Sequence, residues 1–197
     1  MADAGRVIAG SARGIRLAAP GPGTRALTDR VKQALFGVLE PDLEGAVVLD
    51  VFAGSGAGGI EALSRGAARA VFVEKDPGAV RVIAENLRRT HLEDRGRVVR
   101  RDAHAWLTDP AGAAGAGPFD LVLLDPPYAD VASLARALVW VESHVREGGV
   151  VVGKHFWRDA PPARIGLLAS ERERRFGETS LTFYRRLPAA PEEVVES

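Results

Sequence analysis

The 197-residue chain contains no cysteine, which excludes disulfides and thiolate metal sites. Lysine is scarce as well: Lys32, Lys75 and Lys154 stand among 26 basic residues, and the rest are arginine. Formal net charge is zero, so no overall field announces a polyanionic partner. No apolar run approaches the ~20 residues that a membrane-spanning helix needs. The opening Met1-Ala2-Asp3-Ala4-Gly5-Arg6 lacks the apolar stretch of a secretion signal. His91, His104, His144 and His155 have no ligand spacing, so no metal site is expected. The expectation is a soluble, cytoplasmic monomer.

Hydrophobic residues make up 46% of the chain and charged residues 26%, ordinary values for a globular protein with a continuous core. The length suits one α/β domain of ~100–200 residues. Charge is unevenly spread. Up to Glu40 the chain carries Arg6, Arg13, Arg16, Arg25, Arg30 and Lys32 against Asp3, Asp29 and Glu40, whereas its end carries Glu192, Glu193 and Glu196. The arginine bias itself reads as the mark of a GC-rich genome. The clustering of Arg6, Arg13, Arg16, Arg25 and Arg30 makes them the candidates for phosphate contact, since guanidinium groups bind phosphate bidentately.

Arg6-Val7-Ile8 and Ile15-Arg16-Leu17 read as two short strands joined through Gly10 to Gly14. Thr28 reads as the cap of an amphipathic helix over 29–39. From Gly45 strands and helices alternate. Strands are predicted at 47–51, 70–73, 97–100, 121–124 and 149–152. Helices are predicted through 60–65, over 77–90 behind an Asp76 cap, at 103–107 and over 131–145. Residues 110–118 form an Ala/Gly-rich loop, and 172–176 with 181–185 make an antiparallel pair turning at Gly177. This pattern predicts an α/β fold with a mostly parallel seven-stranded sheet flanked by helices. A β-hairpin plus helix over 1–40 forms an N-terminal extension, 41–187 the main domain and 188–197 a disordered tail. Such sheets bind ligands beyond the carboxyl ends of their strands, where the strand order reverses.

Asp50-Val51-Phe52-Ala53-Gly54-Ser55-Gly56-Ala57-Gly58-Gly59 joins the first of these strands to its helix. Gly54, Gly56 and Gly59 satisfy the dinucleotide fingerprint, and Glu74 ends the next strand where a ribose-binding acid belongs. Taken alone, this suits NAD as well as S-adenosylmethionine. Three features favour the methyl donor. Asp50 at the strand tip would repel a pyrophosphate but accept an ammonium group. Asp102 follows the third strand, placed to accept from an adenine amino group. No second domain exists to hold a hydride acceptor. The candidate cofactor wall is therefore Asp50, Ala53, Gly54, Ser55, Gly56, Glu74, Asp102 and Ala103.

Leu124-Asp125-Pro126-Pro127-Tyr128 follows the fourth strand. The two prolines fix φ and remove two backbone donors, leaving a stiff loop with bare carbonyls. An exocyclic base amine is a poor nucleophile because its lone pair is delocalised into the ring. A carboxylate (Asp125) and a carbonyl (Pro126), each accepting one N–H, aim that lone pair and offset the positive charge that develops on nitrogen. Tyr128 offers a flat face to a base taken out of its stack.

Together Asp50–Gly59, Glu74, Asp102 and Asp125–Tyr128 resemble the Rossmann-like S-adenosylmethionine-dependent amino-methyltransferases. The stretches Arg6-Val7-Ile8-Ala9-Gly10, Arg13-Gly14, Thr28-Asp29-Arg30-Val31, Leu35-Phe36 and Ala62–Ala67 narrow the resemblance to the bacterial 16S ribosomal RNA guanine-N2 methyltransferase family of the D type, over roughly residues 6–155. The resemblance implies methylation of a guanine N2 in the small-subunit RNA, naked or assembled, and a hairpin extension that aids RNA binding. Three places depart from the family pattern: Ala26-Leu27 follow Arg25, Lys32-Gln33 stands where Arg-Glu is usual, and Gly153-Lys154-His155 stands where a Val-Glu pair is common.

Two other function classes stay open on the residues alone: methylation of a DNA base amine or a protein amide, and a non-catalytic dinucleotide-binding scaffold. Asp125, where protein-amide enzymes carry Asn, argues against the amide. Arg97, Arg100 and Arg101 read as a solvated face, and Trp106, Trp140 and Trp157 as packing against the sheet.

Overall fold

The computed structural model describes residues 2–21, 27–113, 115–127 and 131–189. The chain runs β1 (Ala2–Arg6), β2 (Arg16–Ala19), α1 (Asp29–Leu39), β3 (Val47–Val51), α2 (Ala57–Ser64), β4 (Arg69–Glu74), α3 (Pro77–Thr90), β5 (Gly96–Arg100), α4 (Ala103–Leu107), β6 (Phe119–Leu124), α5 (Val131–Val141), β7 (Val145–Phe156), β8 (Arg164–Ile165), β9 (Leu168–Phe176) and β10 (Thr179–Arg186). The caps read from sequence are in place. Thr28 accepts from the Val31 amide and Asp76 from Ala79; Asp102, not read as a cap, accepts from the Ala105 amide at the start of α4.

The main sheet has the order β5-β4-β3-β6-β7-β10-β9-β8. Its first five strands are parallel and the last three antiparallel. It therefore has eight strands, not the predicted seven. The extra one is β8, a two-residue edge strand, too short to show a period in sequence. The tail from 190 and residues 22–26 lie outside the described residues.

Strict alternation sorts the side chains of the sheet onto two faces. Val48, Phe72, Leu121, Leu123, Val150 and Val152 pack with α1, α2, α3 and the hairpin. Leu49, Val51, Val71, Val122, Leu124 and Val151 pack with α4 and α5. Successive residues at the strand tips inherit this parity. Asp50, Asp125 and Lys154 thus fall on the same face, two residues or one turn of the pleat beyond Val48, Leu123 and Val152.

The predicted hairpin strands at 6–8 and 15–17 are displaced outward to β1 and β2. The cause is Glu61 on α2, whose buried carboxylate accepts the amides of Ile8 (2.8 Å) and Ala9 (3.1 Å) and draws them away from the ladder. Ser64 accepts from Ala12 and donates to the Ala9 carbonyl. Asn86 on α3 accepts from the Ala18 amide and donates to the Ala18 and Ser55 carbonyls. The hairpin is stitched into the same core that carries the glycine turn.

Removing the Glu61 side chain would leave two amides without an acceptor and Arg65, 2.8 Å from Glu61, without its counter-charge. Glu61→Ala is expected to lower unfolding free energy by about 3–5 kcal/mol in urea titrations. A loss below ~1 kcal/mol would contradict this account of how the hairpin is held.

Candidate active site

A cavity of about 1180 Å³ opens over the carboxyl ends of β3, β4, β6 and β7, where the strand order reverses. Four of the strand-tip acids singled out in sequence line it: Asp50, Glu74, Asp102 and Asp125. So do Ala53, Gly54, Ser55, Ala103 and Pro126. Gly56 does not; it is the residue before α2, with φ +75°, and a Cβ there would meet Ile83 at 3.1 Å. Its role is to turn the chain beneath Ile83. Tyr128 and Arg25 lie outside the described residues. Arg6, Arg13, Arg16 and Arg30 are exposed and none lines the cavity. Arg6 and Arg16 face each other across the hairpin and are paired with Asp29 and Asp3.

The turn from β3 to α2 is backbone-driven. Phe52 takes φ +61°, a left-handed conformation uncommon for a non-glycine residue, and lines the cavity. The Ala53 amide donates to the Val73 carbonyl (3.2 Å) and the Gly54 amide to Glu74 Oε2 (2.9 Å). Glu74 Oε1 accepts from the Asp76 amide at 2.9 Å. Glu74 thus clamps two successive loops and keeps its remaining lone pairs for a ligand. At Gly59 an added Cβ would lie 2.4 Å from Phe72 Cε1, so the last glycine of the fingerprint serves helix–sheet packing.

Asp50 is buried and accepts from the Gly59 amide at 2.8 Å, at the start of α2. Burial pushes its carboxyl up to about 8. The Gly59 hydrogen bond opposes the rise, and the nearby Asp125 and Glu74 add to it. A buried carboxyl crowded by like charges is suited to receive a cation.

Asp125 opens the proline loop, its amide 3.4 Å from the Val51 carbonyl. Its two carboxylate oxygens lie 2.7 and 2.8 Å from Lys154 Nζ. Burial raises its carboxyl above the usual range, and the Lys154 ammonium pulls in the opposite direction. Lys154 was not among the sequence candidates. The signal lay in Gly153-Lys154-His155 and in the register: Leu124 pairs with Gly153 in parallel, which sets the next two residues side by side.

Sequence reasoning also missed the far wall. Arg101, read as solvated, lines the cavity and pairs with Asp109. Trp140 and His104 line it too, edge-to-face with centroids 4.0 Å apart. Trp106 is buried in the core as expected. Trp157 instead lies partly exposed beneath the guanidinium of Arg175, 3.8 Å from its ring centroid.

The family model described as Conserved hypothetical protein 95 matches residues 5–185. The chain is 36% identical over 184 residues to the putative rRNA methyltransferase YlbH of Bacillus subtilis, a match covering 92% of this chain and 98% of that protein. It is 36% identical over 195 residues to ribosomal RNA small subunit methyltransferase D of Escherichia coli, covering 92% of this chain and 89% of that one. Among solved structures, the putative methyltransferase yhhF from Escherichia coli superposes with a TM-score of 0.81 at 32% identity, over 92% of this chain and 97% of the other. An RNA methyltransferase from Salinibacter ruber, solved in complex with S-adenosyl-L-homocysteine, shares the fold with a TM-score of 0.60 at 19% identity, over 86% and 98% of the two chains.

The raised carboxyl of Asp50 has a signature in stability. Between the ordinary aspartate value and about 8, the folded protein keeps a proton that the unfolded chain has released, so the Asp50 contribution to stability falls as pH rises through that window. Relative to Asp50→Asn, the native protein is expected to lose on the order of a few kcal/mol between pH ~4 and ~8 in chemical denaturation. Parallel stability curves for the two proteins would refute the assignment.

Proposed function

From the premise that this chain belongs to the ribosomal RNA small subunit methyltransferase D family, we propose that it transfers a methyl group from S-adenosyl-L-methionine to the exocyclic N2 of a guanine in 16S ribosomal RNA. The observation that carries this reading is that Asp125 and Pro126 share one cavity with Asp50, Gly54 and Glu74.

The residues present fit the donor. Asp50 is a buried carboxyl in need of a cation, which the ammonium of the amino-acid end provides. Glu74 has lone pairs left for ribose hydroxyls, and Asp102, which caps α4 through one oxygen, has another for an adenine amine. Phe52, Ala53 and Val73 give the cavity apolar wall. When bound, S-adenosylmethionine supplies an electrophilic methyl carbon on a sulfonium that leaves as a neutral thioether.

The protein's share of the chemistry falls to the proline loop. The Asp125 carboxylate and the Pro126 carbonyl each accept one N–H of the guanine amine, so that its lone pair points into the cavity. As the new N–C bond forms, Asp125 offsets the positive charge on nitrogen and takes the proton that nitrogen gives up. Tyr128 supplies the stacking face. The N-terminal segment 1–40 contributes contacts to RNA: Pro20, Gly21 and Leu27 line the same cavity, and the exposed Arg13 and Arg30, with Arg25, meet phosphate while Arg6 and Arg16 also hold Asp29 and Asp3.

The reading is tested by offering labelled S-adenosylmethionine with 30S subunits, naked 16S RNA, DNA and bulk protein, followed by nucleoside analysis. Label is expected in N2-methylguanosine from ribosomal RNA. Label confined to DNA, protein or another base would overturn the proposal. Asp125→Ala is expected to retain donor binding in calorimetry while losing turnover by about 10²–10⁴-fold. Turnover near that of the native protein would remove Asp125 from its role.

A further inference from the structure

Asp50, Glu74, Asp76, Asp102 and Asp125 line one cavity, and their surroundings differ. Asp50, Glu74 and Asp102 lean on backbone amides. Asp125 instead has both oxygens on a single ammonium, at 2.7 and 2.8 Å. The pair is sheltered: the Lys154 side chain is 11% exposed and that of Asp125 31%. Lys154 reaches this position because its strand demands it. It follows Val152 on the face turned to α2, beside Leu181 of β10 and one step past the Leu124–Gly153 pair.

We propose that Lys154 is a positioning residue for the methyl acceptor, its ammonium fixing the plane of the Asp125 carboxylate and keeping it ionised. The inference rests on the methyl-transfer reading above. A carboxylate offers about four lone-pair directions. Lys154 takes one on each oxygen and leaves the others for the N–H groups of a base amine. A protonated Asp125 would present a hydroxyl in place of an acceptor and would have no room for the proton that the amine gives up.

Burial makes such a counter-ion necessary. Asp50 and Glu74 stand at the tips of β3 and β4 in the same cavity. Across the cavity stand Arg101, Asp102 and His104 from the start of α4 and Arg136 from α5. Arg101 is engaged by Asp109. Among the described residues, Lys154 is the cation paired with Asp125. Burial raises the Asp125 carboxyl even with Lys154 in place, so its removal leaves the upward push unopposed.

The test compares the native protein with Lys154→Met and Lys154→Arg. In Lys154→Met the acidic limb of the kcat–pH profile is expected to move to higher pH by one unit or more. Turnover at pH 7 is expected to fall at least tenfold and to recover in alkaline buffer, with the Kd for S-adenosylhomocysteine unchanged. Lys154→Arg is expected to restore the position of the limb. A second reading needs no turnover: in protein labelled with ¹³C at aspartate Cγ, the resonance that Asp125→Asn removes should titrate at higher pH in Lys154→Met than in the native protein. Should Lys154→Met fail to fold, Lys154→Gln takes its place in both measurements. An unmoved limb, a loss equal at every pH, or a carboxyl titration unchanged by the substitution would each overturn the proposal. Native protein that transfers no methyl to RNA while the carboxyl still shifts would defeat the functional reading and leave the Lys154–Asp125 coupling standing.

Discussion

Carboxyl groups gathered at the ends of neighbouring parallel strands are buried together, and the hydrogen bonds and ion pair that hold them answer first to that burial and then to their mutual repulsion. Asp125 and Glu74 are close enough to Asp50 to add to the rise of its carboxyl. Each is held by a different device: Asp50 by the Gly59 amide at the start of α2, Glu74 by the Gly54 and Asp76 amides, and Asp125 by Lys154. The sharp turn through Phe52, Gly54 and Gly56 delivers the Gly54 and Gly59 amides. The burial of Asp50 leaves it poorly compensated until a cationic ligand arrives. On the proposed function, such a site favours a ligand carrying positive charge over a pyrophosphate.

The hairpin takes its place in this scheme through Asn86. One side chain bridges β2 and the Ser55 carbonyl of the glycine turn. A buried hydrogen-bond bridge therefore joins the hairpin to the wall of the cavity. The segment that the functional reading assigns to RNA and the turn it assigns to the donor are parts of one packed body. Lys32 reinforces this from α1, with its ammonium on the Arg6 carbonyl and near Asp29.

The periodic parts of the fold were legible in the sequence. The helices 29–39, 77–90 and 103–107 and the strand 47–51 lie where caps and apolar spacing put them, because local chemistry decides them. The site acids were legible for a related reason: a strand tip is fixed by its strand, and Asp50, Glu74, Asp102 and Asp125 all end at one edge. What was not legible depends on long-range geometry. The edge strand β8 is set by pairing with β9 rather than by any pattern of its own. The hairpin register yields to Glu61, more than fifty residues away. The helix predicted over 131–145 stops at Val141, since Val145 pairs with Phe119 and belongs to β7. Lys154 meets Asp125 only once the β6–β7 register is known, and Trp140 meets the cavity only once α5 is docked. The fingerprint points to a ligand contact at Gly56 because it gives spacing and not direction, and Gly56 does not line the cavity.

The central claim is that donor and acceptor meet in one cavity, with the donor's cationic end on Asp50 and its reactive carbon facing Asp125. A crystal structure of the protein soaked with S-adenosyl-L-homocysteine tests it most directly. The account predicts the amino group within hydrogen-bonding distance of Asp50, the ribose on Glu74 and the sulfur directed toward Asp125. A ligand bound elsewhere, or in this cavity with its sulfur turned away from Asp125, would contradict it.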